Sequence, residues 1–73
     1  MEIILKEYCF SPQNEIEKQE IVPHLWNKYF KDTIYIAITL EKKNPNLQID
    51  QSLTLKSLHL QIFNETSGCS FLC

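Results

Sequence analysis

The stretch TIYIAITLEKK, residues 33–43, decides how this chain folds. Taken two by two, Ile34, Ile36, Ile38 and Leu40 alternate with Thr33, Tyr35, Ala37 and Thr39. That period describes a half-buried strand with one apolar face. The segment after it, KKNPN, has the composition of a turn. Leu47-Gln48-Ile49 then offers a short further strand. In SLTLKSLHLQIF, residues 52–63, Leu53 and Leu55 keep one phase, while Leu58, Leu60 and Ile62 keep the other. A bulge at Lys56-Ser57 reconciles the two phases. A helix capped by Asp50 is the rival reading, and strand is favoured.

Upstream, HLWNKYF places Leu25, Trp26, Tyr29 and Phe30 at i, i+1, i+4 and i+5, a stripe with helical spacing. Ser11 suits an N-cap and Pro12 the first helical position. Pro23 is expected to end or kink this helix near Val22. One broken helix, or two short ones, is therefore expected between Ser11 and Lys31. The opening EIILKEYCF reads as a first strand over Glu2–Cys9. The expected fold class is α+β. A small antiparallel sheet of about three to four strands packs on one broken helix, and a short C-terminal tail follows. Residues 1–63 form the domain, and residues 64–73 form a polar hinge and a cysteine-containing tail.

Size and charge narrow the function. A chain of 73 residues holds one domain, whose small core leaves it marginally stable. Net charge is −2, and all seven cationic residues are lysine. Arginine is the residue suited to bidentate phosphate and guanine contacts. Its absence from a mildly acidic chain argues against nucleic acid as a partner. No apolar run approaches the roughly 20 residues of a membrane span. The N-terminal apolar stretch is too short for a secretory signal. The expected location is cytoplasmic, with export after maturation left open. No cofactor is implied, and two scattered histidines with three cysteines give no zinc-like cluster, so no metal is expected. No catalytic residue emerges. Three cysteines is an odd number, and in a reducing cytosol free thiols are the default. Cys9, inside the first expected strand, is read as structural.

The tail SGCSFLC holds the candidate chemistry. Cys69 and Cys73 are separated by three residues, Ser70 among them, behind the only glycine, Gly68. A thiol is the most nucleophilic side chain at neutral pH and the easiest for an enzyme to modify. This layout, a long N-terminal part, a polar hinge and a short Cys- and Ser-containing end, resembles the precursors of ribosomally synthesised, post-translationally modified peptides. The resemblance covers the last seven residues and the general arrangement. It implies a non-enzymatic substrate whose Cys69, Ser70 and Cys73 are modified by an enzyme that docks the N-terminal region.

The alternative is a small protein-binding module, an inhibitor or adaptor, with an incidental tail. In either case a protein partner is expected, and a homodimer is a further option. Trp26, Tyr29 and Phe30 are the candidate contact residues, because Trp and Tyr dominate interface hot spots.

Overall fold

The computed structural model describes residues 2–67. Among these residues there is no strand. The elements in chain order are α1 (Glu2–Tyr8), α2 (Glu15–Tyr29), a 3-10 turn (Phe30–Asp32), α3 (Thr33–Lys43) and α4 (Leu55–Thr66). The expected α+β fold with its antiparallel sheet is corrected to an all-helical bundle.

The decisive stretch is α3. Its buried residues are Thr33, Ile36, Ala37 and Leu40, the i, i+3, i+4, i+7 face of a helix. Ile36 and Leu40 belong to both periodicities, so they cannot tell strand from helix. Ala37 and Ile34 can. Ala37 is fully buried, whereas Ile34 is 39% exposed. The threonines that suggested a strand find helical partners. Thr33 Oγ1 donates to the Tyr29 and Phe30 carbonyls at 3.2 and 3.0 Å, and Thr39 Oγ1 donates to the Tyr35 carbonyl at 2.8 Å. Lys42 and Lys43 sit in the last turn, at the negative end of the helix dipole.

The same correction applies to residues 53–62. What looked like two strand phases joined by a bulge is one broad helical stripe of Leu58, His59, Ile62, Phe63 and Thr66. Its cap is Thr54, whose Oγ1 accepts from the Ser57 N–H at 3.3 Å. Asp50 instead accepts from the Ser52 N–H at 3.0 Å, within the turn that precedes α4. Hydrogen bonds from Ser52 hold the Asp50 carboxyl below its ordinary range.

The expected first strand is α1, where Leu5 and Tyr8 are buried one turn apart. In α2 the cap is Asn14, whose Oδ1 accepts from the Glu17 N–H at 2.8 Å. Glu17 Oε2 returns the contact by accepting from the Gln13 N–H at 2.9 Å. Pro23 lies inside α2 without ending it. Proline has no N–H, so the Gln19 carbonyl lacks its usual helical donor.

The central element is α4, which packs against α1, α2 and α3. Leu58, Ile62 and Phe63 meet Leu5 and Tyr8 of α1, Leu25 and Tyr29 of α2, and Ile36, Ala37 and Leu40 of α3. Ile49, from the α3–α4 connection, joins the same core. That connection is pinned at both ends. The Ile49 N–H donates to Glu41 Oε1 and the Asp50 N–H to Gln61 Oε1, each at 3.2 Å. At the far end of α4, Thr66 Oγ1 reaches the Tyr8 carbonyl at 3.4 Å and Ser67 Oγ the Phe10 carbonyl at 3.3 Å. A solvent-exposed ion pair, Lys28 Nζ to Glu7 Oε1 at 2.9 Å, links α2 to α1. Hydrogen bonding from Tyr29, then from Lys28, lowers the Glu7 carboxyl pKa. No helix among the described residues is long and apolar enough to cross a membrane.

Cys9, just after α1, is disulfide-bonded. This corrects the expectation of a free thiol there. The other two cysteines, Cys69 and Cys73, lie outside the described residues. A cross-link narrows the unfolded ensemble, and removing one from a small domain typically costs about 2–4 kcal/mol. Cys9→Ser is therefore expected to lower Tm by roughly 10 °C or more, and reduction of the wild type should match it. A Tm insensitive to both would show that the bond contributes nothing to the fold.

Candidate functional site

The α2–α4 seam is not closed along its whole length. α2 presents Val22, Pro23 and Trp26 to it, and α4 presents Lys56, His59 and Leu60. Two depressions result, sharing Val22 and Pro23. The more enclosed one has a volume of about 160 Å³ and is lined by Val22, Pro23, Trp26, Lys56 and His59. The shallower one, about 400 Å³, runs past Leu60 to Gln19, Lys18 and Glu15. Together they form a groove with an apolar floor and charged side chains at its edges. The Gln19 carbonyl released by Pro23 belongs to a residue lining this groove.

His59 forms part of the inner wall. Its side chain is fully buried. Tyr8 Oη lies 3.2 Å from Nδ1 and 3.3 Å from Nε2 of the ring. A hydroxyl has one proton to donate, so the tautomer sets which nitrogen pairs with it. Trp26 stands edge-on to the imidazole, with centroids 5.5 Å apart and an interplanar angle of 87°. Tyr8 in turn packs on Tyr29 at 5.9 Å. Burial pushes the His59 pKa down to about 4. Burial also raises the Tyr8 hydroxyl pKa, with the neighbouring Tyr29 adding to the effect. Both side chains are thus neutral at neutral pH. They form a hydrogen-bonded pillar behind the groove. At the edge, Lys56 is exposed and makes no ion pair among the described residues.

The aromatic stripe foreseen in the sequence divides among three environments. Tyr29 is core, 7% exposed, and burial raises its hydroxyl pKa. Trp26 is half-buried and walls the groove. Phe30 is 46% exposed and meets Trp26 edge-on, with centroids 4.6 Å apart and a 77° angle. The other candidates, Cys69, Ser70 and Cys73, lie outside the described residues.

The α4 half of the groove, Lys56, His59 and Leu60, was not foreseen. As a strand residue His59 falls on a polar face, whereas in a helix it adjoins Leu58 and shares a side with Ile62 and Phe63. Among the described residues no group of three His, Cys, Asp or Glu stands close enough to hold a metal ion. Chemically, the groove offers apolar surface, one wall of indole and imidazole, and a cation at its rim. These are features of a binding site. Comparison of the chain with protein-family models, with curated proteins and with solved structures finds no match.

Proposed function

We propose that this chain is a non-enzymatic protein-binding module, an inhibitor or adaptor, whose α2–α4 groove holds an apolar segment of a larger protein. One observation carries the reading. Trp26 is left half-buried in the wall of an open groove, beside exposed Phe30, and the groove continues past Leu60, which is 41% exposed. A half-covered tryptophan flanked by solvent-exposed apolar residues is the usual centre of a docking surface, because covering it removes much apolar area from water. The groove runs along a helix pair, and helix or extended segments dock in such grooves through a few apolar anchors.

The rival is the precursor-peptide reading, in which Cys69, Ser70 and Cys73 are the modified residues. Cys69, Ser70 and Cys73 lie outside the described residues, whereas the groove is formed by described ones, and Cys9 is disulfide-bonded. The same bond fits export to oxidising surroundings after synthesis in the cytoplasm.

Both readings are tested with a photo-crosslinking amino acid in place of Leu60, compared with the same group at Ser52, in the native host. The binding module is expected to cross-link one partner from position 60 and none from position 52. The purified wild type should keep its unmodified mass apart from the hydrogens lost on disulfide formation. A mass gain on the tail, with no cross-link from position 60, would establish the precursor reading instead.

A further inference from the structure

The inner end of the groove has a more specific character than its apolar floor. We infer that it takes an apolar side chain lying next to a carboxylate, presented by the partner protein as a leucine- or phenylalanine-sized residue adjoining an acidic one. The inference rests on the groove being the docking site, and it concerns what that site selects.

Three observations carry it. First, the enclosed depression, about 160 Å³, is the size of one side chain and not of a helix. Val22, Pro23 and Trp26 supply apolar or aromatic surface, and the imidazole of His59 lies edge-on to the indole. Second, Tyr8 Oη stands across the polar edge of His59, 3.2 and 3.3 Å from the two ring nitrogens, and pairs with one of them. A polar group placed deep in the depression would displace that contact, so the deep position favours carbon. Third, the one charged side chain lining the depression is Lys56. It has no carboxylate partner among the described residues. Glu15 and Lys18 line the neighbouring shallow depression but not this one. An apolar group seated in the depression against Val22, Pro23 and Trp26 would therefore lie beside Lys56, which lines the same depression, and would bring its next residue towards the ammonium. A carboxylate there gains attraction, and a cation is repelled. The site reads its partner by one buried anchor and one charge at the rim.

Trp26 is the only tryptophan, so its indole N–H signal reports on this site alone. Three capped dipeptides, acetyl-Phe-Glu-amide, acetyl-Phe-Gln-amide and acetyl-Phe-Lys-amide, are titrated against the full chain by NMR, with hexanoate as a fourth probe. The Glu peptide is expected to shift the Trp26 indole signal saturably. The Gln peptide should bind more weakly by up to about five-fold, the upper end for an exposed ion pair, and the Lys peptide more weakly still. In Lys56→Gln, whose side chain is exposed and outside the core, the Glu and Gln peptides should become equal with the fold unchanged. Equal binding of all three peptides to the wild type would overturn the charge selection while leaving groove docking intact. No saturable shift with any peptide would overturn the anchor itself. Saturation by hexanoate alone would assign the pocket to a free small acid and overturn the partner segment. None of these outcomes depends on cross-linking from Leu60, so failure of the inference and failure of the module reading are separable.

Discussion

Ala37→Asp is expected to unfold the domain, whereas Ile34→Asp leaves it folded. The contrast follows from the helical face of α3. Ala37 is fully buried against the core, and Ile34 points outward at 39% exposure. An aspartate at 37 places an unpaired charge where no donor stands ready, at a cost of several kcal/mol even after partial relaxation. A domain of this size has roughly 4–10 kcal/mol of total stability. The loss therefore takes most or all of it, and the thermal transition should vanish or fall to near room temperature. At position 34 the charge stays in water, and the change should cost no more than about 1 kcal/mol. A strand at 33–40 makes the opposite forecast, with Ile34 inside and Ala37 outside. Ile36→Asp unfolds the chain under either arrangement and so decides nothing. Thermal melts of the two discriminating variants, followed by circular dichroism, separate the alternatives. A stable Ala37→Asp beside an unfolded Ile34→Asp would refute the helix.

Acid should destabilise the protein over a defined window because of His59. Burial lowers the His59 pKa from 6.5 to about 4. The unfolded chain takes up a proton near pH 6.5 that the folded chain refuses until about pH 4. Between those values the unfolded state holds more protons, so stability falls as pH falls. The contribution is fully present above pH 6.5, is lost progressively down to about pH 4, and is flat below. A difference of that size corresponds to at most roughly 3 kcal/mol. The lowered carboxyl pKa values of Glu7 and Asp50 act in the same direction, but only as those carboxylates begin to protonate at the acid end of the window. His59→Gln retains a hydrogen-bonding partner for Tyr8 and removes the titration. Urea midpoints measured from pH 7.5 to 4.5 should fall steeply for the wild type and much less for His59→Gln. Parallel slopes for the two proteins would show that His59 is not buried neutral.

Part of this architecture is visible in the residues and part is not, for physical reasons that particular positions make clear. The helical stripe at Leu25, Trp26, Tyr29 and Phe30 has no strand equivalent, and α2 covers most of the span read as helical. Its boundaries shift because Asn14, and not Ser11, caps the helix by accepting from the Glu17 N–H, while Glu17 accepts from the Gln13 N–H, and because α2 tolerates Pro23 facing the groove. Residues 33–40 are different. Ile36 and Leu40 satisfy both the two-residue and the 3.6-residue period, and isoleucine and threonine lean locally towards strand. What tips the balance is tertiary. α4 supplies a broad apolar face, and α3 covers it best as a helix with Ile36, Ala37 and Leu40 inward. That partner is itself ambiguous in sequence, since Leu55, Leu58 and Ile62 fit a helix only once the bulge at Lys56-Ser57 is abandoned. One misread period thus carries the next with it.

The groove was half legible for a related reason. Trp26 and Phe30 are conspicuous as aromatics. Their counterparts Lys56, His59 and Leu60 lie some thirty residues away and acquire meaning only when α4 is laid against α2. The Tyr8–His59 contact spans 51 positions, and neither residue hints at the other locally.

A single proton–proton NOE spectrum of the folded protein tests fold and site together. The account predicts unbroken amide–amide contacts along residues 33–43 and 55–66, with cross-peaks between the Trp26 indole and the His59 imidazole, whose centroids lie 5.5 Å apart. Cross-strand α-proton contacts between residues 33–40 and 53–62, with no Trp26–His59 cross-peak, would contradict both the helical bundle and the groove built on it.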